Sequence, residues 1–217
     1  MGLNKSKGNM YPWVTHTWNP IRGRCPHKCS YCYMKRFPVG ELRLEKKELN
    51  LDLGLDRNIF VGSSTDMFAE GVNQDWILAV LNHCQRYSYN RYLFQSKNPD
   101  GMNKVLGYFP KRTILGTTIE TNRENYYSNA PIIKYRVQAL EGILLRKMVS
   151  IEPIMDFDVD ELVKMIYRIK PRFISIGADS QNSNLPEPES QKIKELIMRC
   201  ELFTEVKMKS NLKKLLY

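Results

Sequence analysis

The strongest constraint on this chain is a rhythm. Short runs rich in β-branched and aromatic residues give way to polar residues and then to stretches of helical periodicity. Strands are expected at Val14–Asn19, Asn58–Ser63, Arg91–Ser96, Thr113–Thr118, Lys147–Ile151 and Phe173–Gly177, with a short one at Glu205–Lys209. Helices are expected near Asp75–Gln85, from Pro99 behind an Asn98 cap to Leu106, and over Ile132–Leu144. Two more follow, one behind Asp158 with Glu161 as its capping-box partner and one over Glu189–Cys200. Strand alternating with helix at this spacing implies βα units, a parallel sheet and right-handed crossovers. Six or seven such units make a barrel or part of one. In parallel barrels the loops after the strands carry the active site. Here those loops hold Cys25 to Cys32, Ser63 to Asp66, Ser96-Lys97, Thr118 to Asn122, Glu152, and Ala178 to Ser180.

Elsewhere the pattern is less regular. Lys28–Phe37 reads as a helix stopped by Pro38, and residues 38–57, where charge alternates with leucine, read as a helix followed by a polar connection. No composition shift divides the 217 residues, so we expect one domain over 1–217, with 1–10 a flexible leader and Asp179–Ser190 a surface or lid loop. The start Met1-Gly2-Leu3-Asn4-Lys5-Ser6 matches a myristoylation pattern, but so short a match recurs by chance. No apolar stretch is long enough to span a bilayer or to act as a secretion signal, so the expectation is a cytoplasmic protein with no membrane partner. A net charge of +10, from 33 Lys and Arg against 23 Asp and Glu, suits encounter with polyanions or phosphorylated metabolites, and equally a solvated basic surface.

The chemistry-bearing run is Cys25-Pro26-His27-Lys28-Cys29-Ser30-Tyr31-Cys32. Three thiolates on one short loop can point at a common centre and ligate three irons of a cubic iron-sulfur cluster, leaving the fourth iron open. The alternatives are reduced structural thiols or a zinc loop, which needs His27 or His16 as a fourth ligand; His27 is expected to be exposed. Cys84 and Cys200 follow apolar residues at helical spacing and read as core thiols, and Trp13 and Trp18 read as packing residues. The run from Arg86 to Tyr92 mixes cations and aromatics as single-strand binders do, but a helix-to-strand turn has the same look.

The cysteine spacing, with Tyr31 in the aromatic position, resembles the CxxxCxΦC motif of the radical SAM superfamily. The stretches Thr17-Trp18-Asn19-Pro20, Phe60-Val61-Gly62-Ser63 with Asp66-Met67-Phe68, Ser96-Lys97-Asn98-Pro99, Gly116 to Asn122, Ser150-Ile151-Glu152-Pro153 and Ile176-Gly177 are similar in order to a phage- and prophage-associated group of small radical SAM proteins of poorly assigned function. The resemblance implies an α/β fold, a partial (β/α)6 TIM-like barrel. It also implies a 4Fe-4S cluster on Cys25, Cys29 and Cys32, S-adenosylmethionine as cofactor, and an external electron donor of flavodoxin or ferredoxin type. Tyr31 would pack near the adenine. Ser63, Ser64 or Asp66 would stand where many members carry a Gly-Gly-Glu run that holds the cofactor's amino group. Thr118 and Glu120 would bond the ribose, and Arg123 or Arg136 would pair with the cofactor carboxylate. Glu152, Asp179, Lys97 and Lys209 remain as substrate or proton-handling groups.

The expected activity is therefore reductive cleavage of S-adenosylmethionine to a 5′-deoxyadenosyl radical that takes hydrogen from a substrate. A nucleobase or base adduct, in nucleic acid or a nucleotide, is the first expectation; the reaction subclass, whether isomerase, lyase or transferase, stays open. A small metabolite or peptide substrate is the second reading, and a non-catalytic zinc module that binds nucleic acid or a partner is the third.

Overall fold

A computed structural model describes residues 2–124 and 126–217. One eight-stranded sheet organises it, in the order β1 (Asn4–Lys5), β2 (His16–Trp18), β5 (Asn58–Val61), β6 (Arg91–Gln95), β7 (Thr113–Thr118), β8 (Arg146–Ile151), β9 (Phe173–Ile176) and β10 (Glu205–Met208). β1 runs antiparallel to β2, and every later neighbour is parallel. A hairpin of β3 (Ile21–Arg22) and β4 (Arg43–Leu44) stands apart. The fold is a partial TIM-like barrel.

Alternation along the strands explains why both faces are buried. Ile59, Val61, Tyr92, Phe94, Leu115, Val149, Ile151, Ile174 and Ile176 face one way, into the larger core. There they meet α1 (Gln74–Arg86), α3 (Ile133–Glu141), α4 (Val159–Ile169) and α5 (Ser190–Glu201), with α2 (Pro99–Asn103) and α6 (Lys213–Leu216) as shorter pieces. The intervening residues Phe60, Leu93, Met148 and Phe173 form a second apolar cluster with Tyr11 and Val14. Trp13 joins it, stacked on Tyr11 with ring centroids 5.7 Å apart and edge-on to Phe173 at 5.5 Å. The segment before β2 thus fills the inner face of the half-barrel.

That inner face changes character along each strand. Leu93 is followed two residues on by Gln95, Ile114 by Gly116 and then Thr118, and Met148 by Ser150 and then Glu152. Apolar residues close the N-terminal end, and polar residues collect at the C-terminal end.

Several local expectations change. Lys28–Phe37 contains only a 3-10 turn at Tyr33–Arg36, and in place of a helix residues 38–57 hold β4 and a 3-10 turn at Lys46–Asn50. The reason lies in Glu48: its buried carboxylate accepts from Trp18 Nε1 at 3.1 Å and Arg22 at 3.1 Å, tying the segment to β2 and the hairpin. Asp158 starts α4 without capping it, because its carboxylate is drawn to Arg123 and Asn122. The stretch expected as a leader lies against the sheet, with Asn4 opposite Thr17 and Lys5 opposite His16; Met1 lies outside the described residues. Cys84 and Cys200 are core residues, and burial raises both thiols, Cys200 to about 12. The run from Arg86 to Tyr92 is the turn from α1 into β6, at the N-terminal end of the strands and away from the polar rim. No helix among the described residues is long and apolar enough to cross a membrane.

Candidate active site

The cysteine loop is the connection of the β3–β4 hairpin, beyond the C-terminal end of β2. Its neck is tight: at Gly23, whose φ is +113°, a Cβ would lie 2.1 Å from the Glu41 carbonyl oxygen, so only glycine lets the two strands of the neck pass. Two backbone bonds stitch the loop to the connection after β7, Ser30 N–H to Tyr127 O at 2.7 Å and Asn129 N–H to His27 O at 2.7 Å.

A buried carboxylate anchors it from beneath. Asp66 bonds His27 Nε2 at 2.8 Å and accepts from Ser96 Oγ at 2.9 Å, Lys97 N–H at 2.8 Å and Phe68 N–H at 3.0 Å. Burial opposes its ionisation, but the His27 ring and the backbone donors outweigh that and hold its pKa below the ordinary range. His27 is therefore only 4% exposed, contrary to expectation, because its ring is the loop's peg. Asp66 is thus engaged by the loop and by the turn after β6, and it does not reach the cavity wall where a cofactor amine was expected to meet it.

Burial pushes the Cys25 thiol up to about 11, with Asp66 and Cys29 adding to the rise, and Cys29 is raised by burial with Cys32 contributing. No three His, Cys, Asp or Glu side chains among the described residues close on a point as a single-ion site requires. Of the fourth ligands a zinc site would need, the His27 ring is held by Asp66 and His16 begins β2 at the opposite end of the barrel. A cluster spreads its thiolates over separate irons, so three thiols on one loop with no fourth side chain fit a 4Fe-4S group better than a lone metal ion.

Cys29 and Cys32 open onto a cavity of about 520 Å³ at the polar rim. Of the expected site residues, Tyr31, Ser63, Lys97, Thr118, Glu152, Asp179 and Lys209 also reach its wall. Cys25, Ser64, Asp66, Glu120, Arg123 and Arg136 do not. Ser64 lies behind Ser63, where its N–H bonds Asn19 Oδ1 at 2.9 Å.

Two charged centres flank the cavity. In the first, Glu120 is 1% exposed, and Oε1 accepts from Tyr31 Oη at 2.5 Å and Lys97 Nζ at 2.5 Å while Oε2 accepts from Arg136 at 2.9 Å. Burial disfavours the anion, yet Lys97 and Arg136 prevail and hold Glu120 at about 2. Burial and the neighbouring anion raise the Tyr31 phenol, and Lys97 Nζ sits 4.5 Å from the Tyr31 ring centroid. Arg136 also donates to Thr118 O and Pro131 O, so it is committed to the scaffold. Arg123 is a plain correction: its guanidinium lies outside the cavity, paired with Asp156 and Asp158 at the protein surface.

In the second centre, Glu152 accepts from Lys209 Nζ at 2.7 Å and Asn9 Nδ2 at 3.0 Å. Burial nevertheless raises Glu152 above the ordinary carboxylate range, because it outweighs Lys209 and Asn9. Lys209 Nζ also donates to Asn9 O and lies 4.6 Å from the Tyr11 ring centroid. Tyr11 Oη meets Ser150 Oγ at 2.9 Å and Gln95 Oε1 at 2.8 Å, and Gln95 Nε2 donates to Thr118 Oγ1 at 3.1 Å. At Gly177 a Cβ would stand 2.9 Å from the Glu152 carboxyl and 3.0 Å from Lys209 Cδ, so the pair depends on a residue without a side chain. Asp179 turns back on its own loop, accepting from the N–H groups of Gln181 and Ser183.

Asn9, Tyr11, Gln95 and Ser150 are wall residues that reading the sequence missed. For Gln95 and Ser150 a signal was available, since each ends an inward-facing register. Asn9 and Tyr11 sit in a stretch with neither period, where no such signal exists.

Residues 9–170 match the family described as protein of unknown function (DUF5131). No curated protein matches the sequence. Among solved structures, a spore photoproduct lyase variant with bound AdoMet and dinucleoside spore photoproduct matches with a TM-score of 0.61 at 12% identity, covering 91% of this chain and 65% of that one. A variant with dinucleoside spore photoproduct alone gives 0.61 at 13% identity, covering 91% and 64%. The lyase complexed with dinucleoside spore photoproduct gives 0.60 at 12%, covering 88% and 62%. The chain spans less than two thirds of the length of the lyase chains it matches.

Proposed function

The chain belongs to the DUF5131 family, and on that premise we propose that it is a radical S-adenosylmethionine enzyme acting on a nucleobase or a base adduct. One observation carries the reading: Cys29 and Cys32 of the three-cysteine loop open into one cavity, beside Tyr31, Lys97 and Glu152, at the C-terminal rim of a partial barrel. The fold shared with spore photoproduct lyase, a radical SAM enzyme acting on a DNA base adduct, supports it.

A 4Fe-4S cluster on Cys25, Cys29 and Cys32 would pass an electron from a flavodoxin- or ferredoxin-type donor to S-adenosylmethionine and so supply the 5′-deoxyadenosyl radical. The chain's own residues do the rest. Tyr31 and Lys97, fixed by Glu120, form the wall beside the thiols. Tyr11, Gln95, Thr118 and Ser150 offer hydroxyl and amide groups of both hydrogen-bonding senses, which suits the edge of a heterocycle. Phe60 and Met10 give that wall an apolar patch that keeps water from the reacting carbon. Glu152, with its raised pKa, holds or releases a proton at the carboxyl facing the cavity. The reducing cytoplasm is the compartment such chemistry needs.

The test is anaerobic reconstitution with iron and sulfide, then dithionite, S-adenosylmethionine and detection of 5′-deoxyadenosine, with Cys29→Ala alongside. Product that depends on the intact triad is expected, together with a modified base that vanishes with it. Stoichiometric zinc, no iron and no S-adenosylmethionine binding would return the protein to the class of binding modules.

A further inference from the structure

The charges around the cavity are sorted in an uneven way. Within it, Lys97 is paired with Glu120 at 2.5 Å and Lys209 with Glu152 at 2.7 Å, leaving Lys7 at the edge as the one lining cation with no ion pair among the described residues. Asp179 adds a further carboxylate to the wall. With Lys97 and Lys209 already paired, a phosphate inside would find only Lys7 as an unpaired lining cation among the described residues.

Just outside, the balance reverses. Residues 19–40 carry five cations and no Asp or Glu. Arg22 is paired with Glu48, but Arg24, Lys28, Lys35 and Arg36 are exposed and form no ion pair among the described residues. The nearest acid in sequence is Glu41, at the hairpin neck. Two aromatic rings lie among these cations: Phe37, 55% exposed, and Tyr33, 42% exposed, which also forms part of the cavity wall. More than half of Phe37 is open to solvent, in the same unpaired cationic stretch as Tyr33.

We propose that the outer surface of the cysteine loop is a docking collar for single-stranded nucleic acid, with phosphates along Arg24, Lys28, Lys35 and Arg36, bases stacked on Phe37 and Tyr33, and one base turned into the cavity. This rests on the reading above and narrows it from nucleotide to strand. Cations tracking a backbone beside aromatic faces are what a sequence-tolerant strand binder needs, and a base entering a cavity must leave its stack. An acidic protein would use the same cations and aromatic rings but leave the cavity that Tyr33 borders without a role.

The test is fluorescence anisotropy of labelled 12-nucleotide DNA and RNA strands with the full-length reconstituted protein across a salt series. With about four phosphates neutralised, log K should fall against log salt with a slope of about −3. Arg36→Glu and Phe37→Ala should each weaken binding about tenfold, while Arg168→Glu on α4 should not. No binding at low salt, equal weakening by Arg168→Glu, or protection of residues 24–37 by an acidic flavodoxin-type protein but not by a strand would overturn the collar. Formation of 5′-deoxyadenosine by the same preparation separates the two claims. Cleavage without strand binding removes the collar alone, and strand binding without cleavage strikes the catalytic reading.

Discussion

Glu120 and Glu152 stand just past the ends of neighbouring strands, one buried and the other largely so, both salt-bridged to a lysine, yet their pKa values are shifted in opposite directions. Glu120 has three charged or hydroxyl donors and is kept ionised at about 2. Glu152 has one cation and an amide, and burial prevails, so its pKa rises. A single lysine at 2.7 Å does not settle a buried carboxylate; the count of donors does. The first centre is a strut for Tyr31 and Lys97, and the second sets a carboxyl with fewer donors at the cavity wall.

The comparison breaks hardest at its rigid end. Glu120→Leu leaves Lys97 and Arg136 buried without an anion, and should cost about 3–5 kcal/mol in urea unfolding. A loss under about 1 kcal/mol would show that the two cations are hydrated and that the strut is no strut. The pH dependence sharpens the contrast. Glu120's lowered pKa gives stability present above the unfolded value of about 4.3 and lost as pH falls toward about 2, an effect of about 3 kcal/mol. Glu152 works with the other sign: its raised pKa favours the folded state at low pH and loses that advantage as pH rises through the folded value. Glu120→Gln should therefore be most harmful near neutrality and least near pH 2–3, whereas Glu152→Gln should improve relative to the parent as pH rises. Parallel unfolding curves from pH 3 to 7 decide it, and matching slopes for the two variants would dissolve the distinction.

Gly177→Ala forces a methyl against the Glu152–Lys209 pair and should cost about 1–3 kcal/mol, with Gly142→Ala, which meets nothing within 4 Å, as the neutral control in thermal melts. Equal melting temperatures would mean the second centre yields freely. The smallest effect belongs to Arg123→Ala. Its exposed, solvent-screened pairs with Asp156 and Asp158 should leave the melting temperature almost unchanged on removal, and S-adenosylmethionine cleavage should be unchanged. A large loss of cofactor affinity would bring Arg123 back to the site.

Much of this was legible in the residues. β5 through β9 announce themselves through β-branched and aromatic runs, and the cysteine spacing singles out the loop from which Cys29 and Cys32 reach the cavity. What stayed hidden depends on burial, which spacing does not encode. Arg123 and Arg136 look alike on paper, yet one is at the surface and the other reaches Glu120 because α3 packs against the barrel. His27 reads as a loop residue until Asp66, 39 positions away, receives its ring. Asn9-Met10-Tyr11-Pro12-Trp13 has no helical or strand period at all, so its place inside the half-barrel is decided by what the sheet lacks on that face. The helix expected within 38–57, ahead of a polar connection, is absent for a similar reason: Trp18 and Arg22 bind the Glu48 carboxylate, which a 3-10 turn carries.

The gradient along the inner face carries one more consequence. Because Leu93, Met148 and Phe173 hold the bottom while Gln95, Ser150 and Glu152 face the cavity two positions or more beyond, substitutions that change what enters the cavity and substitutions that unfold the protein fall on different residues of the same strands. Such a scaffold is forgiving to evolve. A lineage can trade one substrate for another by rewriting a few rim positions while inheriting the rest of the molecule untouched.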